Sequence, residues 1–334
     1  MTRLSVVADT YGAVEDFRHD DAVDRGTRMT LSQALANGRF VLTAEFGPPR
    51  DPDPAPVRAA ARLLGRLVDA VNVTDNQAAT VKVSALAVAA LLAAEGVDPI
   101  LQLTARDRNL MALQAELLGA WILGVRTVLA LRGDPLHVGP YASLATHVGD
   151  VDAVALIELI RDLNDGHLAA GEELKTPTNF LIAGAANPLL DSFERLERKL
   201  DAGVSLLQSN VVYDIDRFIR WFAPLAEAGI VERAPLLVGV MPPRSTRMLR
   251  HMHDNIPGVE VPDAVFARMD GLQDQAAKDE GARIAAELID ALGNIEGVSG
   301  AHVMAPGWET EAVPRIVELL DGNLGPARMA EDPA

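Results

Sequence analysis

The sequence contains no cysteine, which excludes disulfide bonds, zinc–thiolate sites and cysteine nucleophiles and leaves the redox compartment unread. Aromatic residues are scarce at 4%, so alanine, valine and leucine carry most of the apolar mass. No uninterrupted apolar run approaches the ~20 residues that a membrane helix needs. The start, Met1-Thr-Arg-Leu-Ser-Val-Val-Ala8, lacks the long apolar stretch of a secretory leader. Basic side chains are outnumbered 47 to 30 by acidic ones, leaving a net charge of −17, and a far field of that sign repels polyanions, so nucleic acid is a poor partner. The 49% hydrophobic and 23% charged content is ordinary globular usage and excludes a disordered or fibrous chain. These features together read as a soluble, cytoplasmic protein with no membrane segment.

A chain of 334 residues is long enough for two domains at about 150 residues each, or for one α/β barrel of about 250 residues or more. The pattern along the chain decides for the barrel. Eight short apolar or β-branched runs recur: Phe40–Phe46, Ala70–Thr74, Pro99–Thr104, Thr127–Leu131, Asn179–Ala185, Ser205–Val212, Leu236–Val240 and Gly300–Met304. Between them lie stretches of helical period, among them Val81–Ala94, Asn109–Leu123, Val154–Leu163, Ile215–Ala228 and Ala276–Leu292. Eight strands alternating with helices predict an α/β fold, a single (β/α)8 barrel over residues 36–322. Residues 1–35 are then an N-terminal extension and 323–334 a C-terminal tail. An open doubly wound sheet would usually show a glycine-rich phosphate turn after its first strand; here that turn reads Glu45-Phe-Gly-Pro-Pro-Arg50, whose prolines cannot supply a fan of N–H donors.

Barrel enzymes place their chemistry at the C-terminal ends of the strands. The polar residues that close the runs are Glu45, then Thr74-Asp75-Asn76, Gln102 and Thr104 through Asn109, Arg132-Gly133-Asp134, Asn187, Gln208-Ser209-Asn210 and His302. Glu45 emerges among apolar neighbours, where desolvation raises a carboxyl pKa toward that of a general acid working near neutrality. Asp134 follows a glycine and precedes a proline. For either acid alone, helix capping or an ion pair competes with catalysis. Arg106-Asp107-Arg108-Asn109 has two readings, a phosphate-holding pair of guanidinium forks or a cap and ion pair for the next helix. His251 and His253 are two residues apart, on different helix faces, so no metal site is expected there. Phe218, Trp221 and Phe222 read as a packed helix face.

Several strings together resemble the 5,10-methylenetetrahydrofolate reductase family. They are Glu45-Phe-Gly-Pro-Pro49, Val71-Asn-Val-Thr-Asp-Asn-Gln77, Leu101-Gln-Leu-Thr-Ala-Arg-Asp-Arg-Asn109, Leu117-Leu-Gly-Ala120, Val128-Leu-Ala-Leu-Arg-Gly-Asp-Pro135, Lys199-Leu-Asp-Ala-Gly203, Val212-Tyr-Asp214, Pro257-Gly-Val-Glu-Val-Pro262 and Gly300-Ala-His-Val-Met-Ala-Pro306. They run in order from about residue 30 to 320. The resemblance implies a TIM barrel that reduces methylenetetrahydrofolate with NADH or NADPH through a bound flavin, usually FAD. It further implies that Glu45 is the general acid that protonates N10 of the folate, and that Asp134 contacts the pterin and favours cationic character nearby. Gln208 and Asn210 fall at substrate-binding positions, and Thr74, Gln102, Thr104, Leu131, Arg132, Gly133, Asp134 and Lys199 at cofactor-binding positions.

The chain also departs from the family. The family's Gln-Thr-Gln reads Gln208-Ser209-Asn210, its Thr-Tyr-Gly-Ala reads Thr74-Asp75-Asn76-Gln77, and its Tyr-Pro-Glu-x-His-Pro reads Ala185-Ala-Asn-Pro-Leu-Leu190. An arginine that meets the folate tail is replaced near Trp308. These departures leave FMN, or no flavin at all, as alternatives to FAD. They also leave a folate-binding accessory subunit of a one-carbon (methyl-transfer or demethylation) system as the alternative to a self-sufficient reductase, so the partners implied are a tetrahydrofolate substrate and either a second copy of the chain in a homo-oligomer or the system it assists.

Overall fold

Seven of the eight strands are joined to the next through helix-bearing connections and the eighth returns to the first, as the computed structural model of residues 29–320 describes. The strands are β1 (Val41–Phe46), β2 (Ala70–Val73), β3 (Pro99–Thr104), β4 (Thr127–Leu131), β5 (Leu181–Ala186), β6 (Leu206–Val211), β7 (Leu236–Val240) and β8 (Val298–Val303). They pair in sequence order, all parallel, and β1 pairs with β8, so the sheet is a closed (β/α)8 TIM barrel. Every residue of β1 and β3 is buried, the signature of parallel strands covered on both faces. Three of the expected strands, Pro99–Thr104, Thr127–Leu131 and Leu236–Val240, have the observed bounds, and the others differ by one or two residues at an end.

Side chains alternate between two environments with a period of two. Val41, Ala70, Ile100, Leu129, Ala183, Leu206 and Leu237 point inward near the strand starts and form one apolar layer. Their neighbours Leu42, Val71, Leu101, Val128, Ile182, Leu207 and Val238 point outward against the helices. The inner layer is closed from below by the helix Leu31–Ala36, which Thr30 and Gln33 cap reciprocally. Leu31 and Ala34 pack into that layer, and the Leu31 N–H donates to the Asp98 carboxylate at 2.8 Å. The boundary drawn in the sequence at residue 35 runs through this helix. Six residues are under two turns, too few for a helical period to show. Residues 1–28 and the tail beyond 320 lie outside the described residues.

The loops from strand ends to helices finish on short polar caps. Asp53, Asn109, Asp152, Ser192 and Asp214 each accept a backbone N–H of the helix they start. Phe218 and Phe222 stack at 5.3 Å inside the helix Ile215–Glu227, which is the packed face expected of them. His253 Nδ1 accepts the Val261 N–H, and His251 meets Asn255. Among the described residues no helix is long and apolar enough to cross a membrane.

Candidate active site

Above the apolar layer the inward positions turn polar. Thr43, Asn72, Gln102, Gln208 and His302 are all buried, one turn of the side-chain alternation higher in the barrel. The Asn72 amide donates to Gln208 Oε1 at 2.7 Å and lies 3.4 Å from His302 Nδ1. The Thr43 hydroxyl stands 2.9 Å from the same nitrogen. Burial depresses the His302 pKa to about 3, so the ring is neutral throughout the physiological range. This layer is a fixed hydrogen-bonding floor and does not titrate near neutrality.

Glu45 sits one step above it, at the C-terminal end of β1, with only 4% of its surface exposed. Its pKa is raised from 4.5 to about 7. Desolvation is the main cause; hydrogen bonds from Gln77 and Gln102 oppose it, and the nearby charges of Glu309 and Asp134 add to it. Gln77 Nε2 donates to Glu45 Oε1 at 3.3 Å, and the Glu309 carboxylate is itself held by the Gly47 N–H at 3.2 Å. A carboxyl group so placed is protonated for much of the population at neutral pH and can deliver a proton into the barrel mouth.

Two loops cover the ends of β2, β3 and β4. In the loop after β2, Asn76, Ala78 and Ala79 have φ of 47°, 54° and 48°, left-handed conformations that side chains other than glycine adopt at a cost. Three contacts hold them there. The Lys82 N–H donates to Asn76 Oδ1 at 3.0 Å, Arg106 donates to the Asn76 carbonyl at 3.3 Å, and the Ala78 N–H donates to Asp134 Oδ2 at 2.6 Å. The loop after β4 presses on the same turn, since a Cβ at Gly139 would stand 2.3 Å from the Ala79 carbonyl oxygen.

Of the two readings for residues 106–109, the structure displays the cap and ion pairs. Asn109 caps the helix Leu110–Ile122, Arg106 grips Asp107 with two nitrogens, and Arg108 grips Asp75. The Arg106 hydrogen bonds hold the Asp107 carboxyl below its usual pKa. Asp75 also accepts the Thr104 N–H and hydroxyl at 2.9 and 3.0 Å.

The structure thus gathers Glu45, Gln102, Asp134 and Gln208 around the barrel mouth. Asn210 is elsewhere. The β6–β7 register slips between Gln208 and Val211, the Ser209 hydroxyl bridges the Asn210 carbonyl and the Gly239 N–H, and the Asn210 side chain turns to the Val211 N–H and the Pro257 carbonyl. Lys199 is engaged within the protein as well, donating to the Ala185 carbonyl at 2.5 Å and to Asp191 at 3.2 Å, with burial lowering its pKa. Sequence reasoning assigned no role to Asn72, Gln77 or Glu309. Asn72 was within reach, being two residues before Thr74 and so on the same inward face. Gln77 and Glu309 act from loop and helix positions that carry no periodic signal.

Three of the eight positions at which a flavin was expected are engaged within the protein. Thr104 serves Asp75, Asp134 serves Ala78 and Lys199 serves Asp191. Thr74 and Gln102 are buried and Leu131 half-buried, leaving Arg132 exposed. Gly133, at φ 86°, is needed for packing, because a Cβ there would lie 3.0 Å from that of Thr104. The loops after β2 and β4 meet across this ground, and Thr104, Asp134 and Lys199 would have to release these partners to hold a flavin.

The family described as Methylenetetrahydrofolate reductase matches residues 30–321. Methylenetetrahydrofolate reductase 1 of Schizosaccharomyces pombe is 26% identical over 236 residues, covering 69% of this chain and 37% of its own length. The 5,10-methylenetetrahydrofolate reductase of Pectobacterium carotovorum is 26% identical over 286 residues, covering 82% and 89%. The chain therefore spans about a third of the length of the yeast and plant relatives it matches, but most of this bacterial one. Among solved structures, an uncharacterised Clostridium thermocellum protein that binds two copies of 5-methyl-5,6,7,8-tetrahydrofolic acid superposes with a TM-score of 0.58 at 14% identity, over 87% of this chain and 98% of that one. The EDTA monooxygenase EmoA of Chelativorans sp. BNC1 follows at 0.53 and 12%, over 87% and 96%. At such identities the likeness is one of fold.

Proposed function

The chain belongs to the methylenetetrahydrofolate reductase family, and from that premise we propose that it reduces 5,10-methylenetetrahydrofolate to 5-methyltetrahydrofolate with a hydride from NADH or NADPH. The observation that carries this reading is Glu45, a buried acid at the end of β1 whose pKa lies at about 7. Hydride addition needs an electrophilic carbon, and the methylene bridge between N5 and N10 becomes one when N10 is protonated. The C–N10 bond then breaks, its electron pair stays on N10, and an iminium forms at N5. Glu45 supplies that proton. A fixed negative charge near the iminium lowers its energy, which is the part given to Asp134. Gln208, oriented by Asn72, offers its amide to the pterin, while Asn210 reaches that ring only by leaving Val211 and Pro257.

The hydride passes from C4 of the reduced nicotinamide to the methylene carbon, giving the N5-methyl group and the oxidised nicotinamide. No step is routed through a flavin, since three of the residues that would hold one are engaged with Asp75, Ala78 and Asp191. The test is an anaerobic assay of the purified protein with methylenetetrahydrofolate and either nicotinamide, together with its visible spectrum. Turnover without flavin bands near about 380 and 450 nm, the usual positions for this cofactor, is the expected result. Turnover with stoichiometric flavin would overturn direct transfer alone. Absent turnover with intact folate binding would overturn the reductase reading in favour of an accessory subunit.

A further inference from the structure

The left-handed turn after β2 is expensive backbone with no glycine in it, and it sends one side chain to the general acid. Resting on the assignment of Glu45 as proton donor, we propose that Gln77 is a positioning residue: the turn delivers its amide to Glu45 Oε1, and this N–H···O contact favours the ionised carboxylate over the acid and fixes its orientation. An amide N–H binds a carboxylate more strongly than it binds the neutral acid. The contact measures 3.3 Å, and Gln77 makes it from within a turn in which Asn76, Ala78 and Ala79 hold positive φ. Such strain persists only where the surroundings over-determine it. Here Lys82, Arg106 and Asp134 anchor the turn from three sides.

The other groups facing Glu45 make the contact matter. Glu309, from the helix Glu309–Leu320, and Asp134, from the loop after β4, are both acidic and press Glu45 toward its neutral form. Gln102 on β3 and Gln77 are the two side chains that press the other way. Among the described residues no lysine, arginine or histidine hydrogen-bonds Glu45, so amides are its counterweight. Without the Gln77 donor, Glu45 holds its proton to higher pH and parts with it less readily, which slows N10 protonation. The same turn holds Asp134 through Ala78, so displacing it disturbs both carboxylates together.

The experiment titrates the carboxylic C=O stretch of Glu45 by infrared difference spectroscopy on the substrate-free protein, the band being identified by its loss in Glu45→Gln. Gln77→Met keeps the length and removes the donor; Gln77→Glu keeps the length and adds a like charge. The midpoint is expected to rise by at least about half a pH unit in Gln77→Met and further in Gln77→Glu, with the alkaline limb of kcat/KM moving in the same direction. An unmoved midpoint in either folded variant would overturn the proposal, and Gln77→Glu serves should Gln77→Met fail to fold. Near wild-type turnover in Glu45→Gln would instead remove Glu45 from the reaction while leaving the infrared result to stand on its own.

Discussion

Burying Glu45 makes the protein less stable above neutral pH than below it. Its folded pKa, about 7, is above the 4.5 of the free side chain, so the folded state keeps a proton that the unfolded chain releases. Stability from this group is whole below about pH 4.5 and is lost as pH rises through about 7, a difference on the order of 3 kcal/mol. Glu45→Gln, which cannot ionise, should therefore gain about that much over the wild type between pH 4 and pH 8 in urea unfolding; an equal difference at both pH values would contradict the burial argument. The apolar neighbours of Glu45 made its raised pKa legible in the sequence. The opposing amide of Gln77 and the added charge of Glu309 were not, since both come from residues distant in the chain or placed by a turn. The orientation of Asn210 was not legible for a local reason: the register slips between Gln208 and Val211, and its side chain meets the Val211 N–H and the Pro257 carbonyl.

The strand ends were readable and the loops above them were not. Glu45, Gln102, Gln208 and His302 were legible as polar residues closing apolar runs, whereas Thr43 and Asn72, which share their inner face by the period of two, were passed over because they lie within the runs. Nothing in Asn76-Gln-Ala-Ala79 announces positive φ, for alanine has no preference for that region. The turn is anchored by contacts from Lys82, Arg106 and Asp134, and the loop after β4 packs on it at Gly139. Gly139→Ala should part the two loops, since its Cβ would stand 2.3 Å from the Ala79 oxygen and 2.7 Å from that of Ala78. Hydrogen–deuterium exchange should then rise several-fold in residues 76–80 and 133–148, with the strands unchanged. Unaltered exchange in both loops would show that their contact is not what holds them.

At the scale of the whole molecule, eight runs of β-branched and apolar residues sufficed for the barrel, whereas its floor was hidden. The helix Leu31–Ala36 is too short for a period, yet Leu31 is fully buried in the inner layer. Leu31→Ala should cost about 2–5 kcal/mol of stability, the range for a buried leucine whose site cannot collapse, read from urea unfolding; a loss under about 1 kcal/mol would mean that the barrel does not need its plug. Glu45 ties the fold to the reaction, and the most direct test of that tie is the single-turnover rate of methylenetetrahydrofolate reduction in Glu45→Gln, with folate affinity measured alongside. The amide keeps the shape and cannot deliver the proton. The rate should fall at least about 10²-fold, the usual scale for a positioned general acid, with affinity nearly unchanged. A rate close to that of the wild type would contradict the role assigned to this residue.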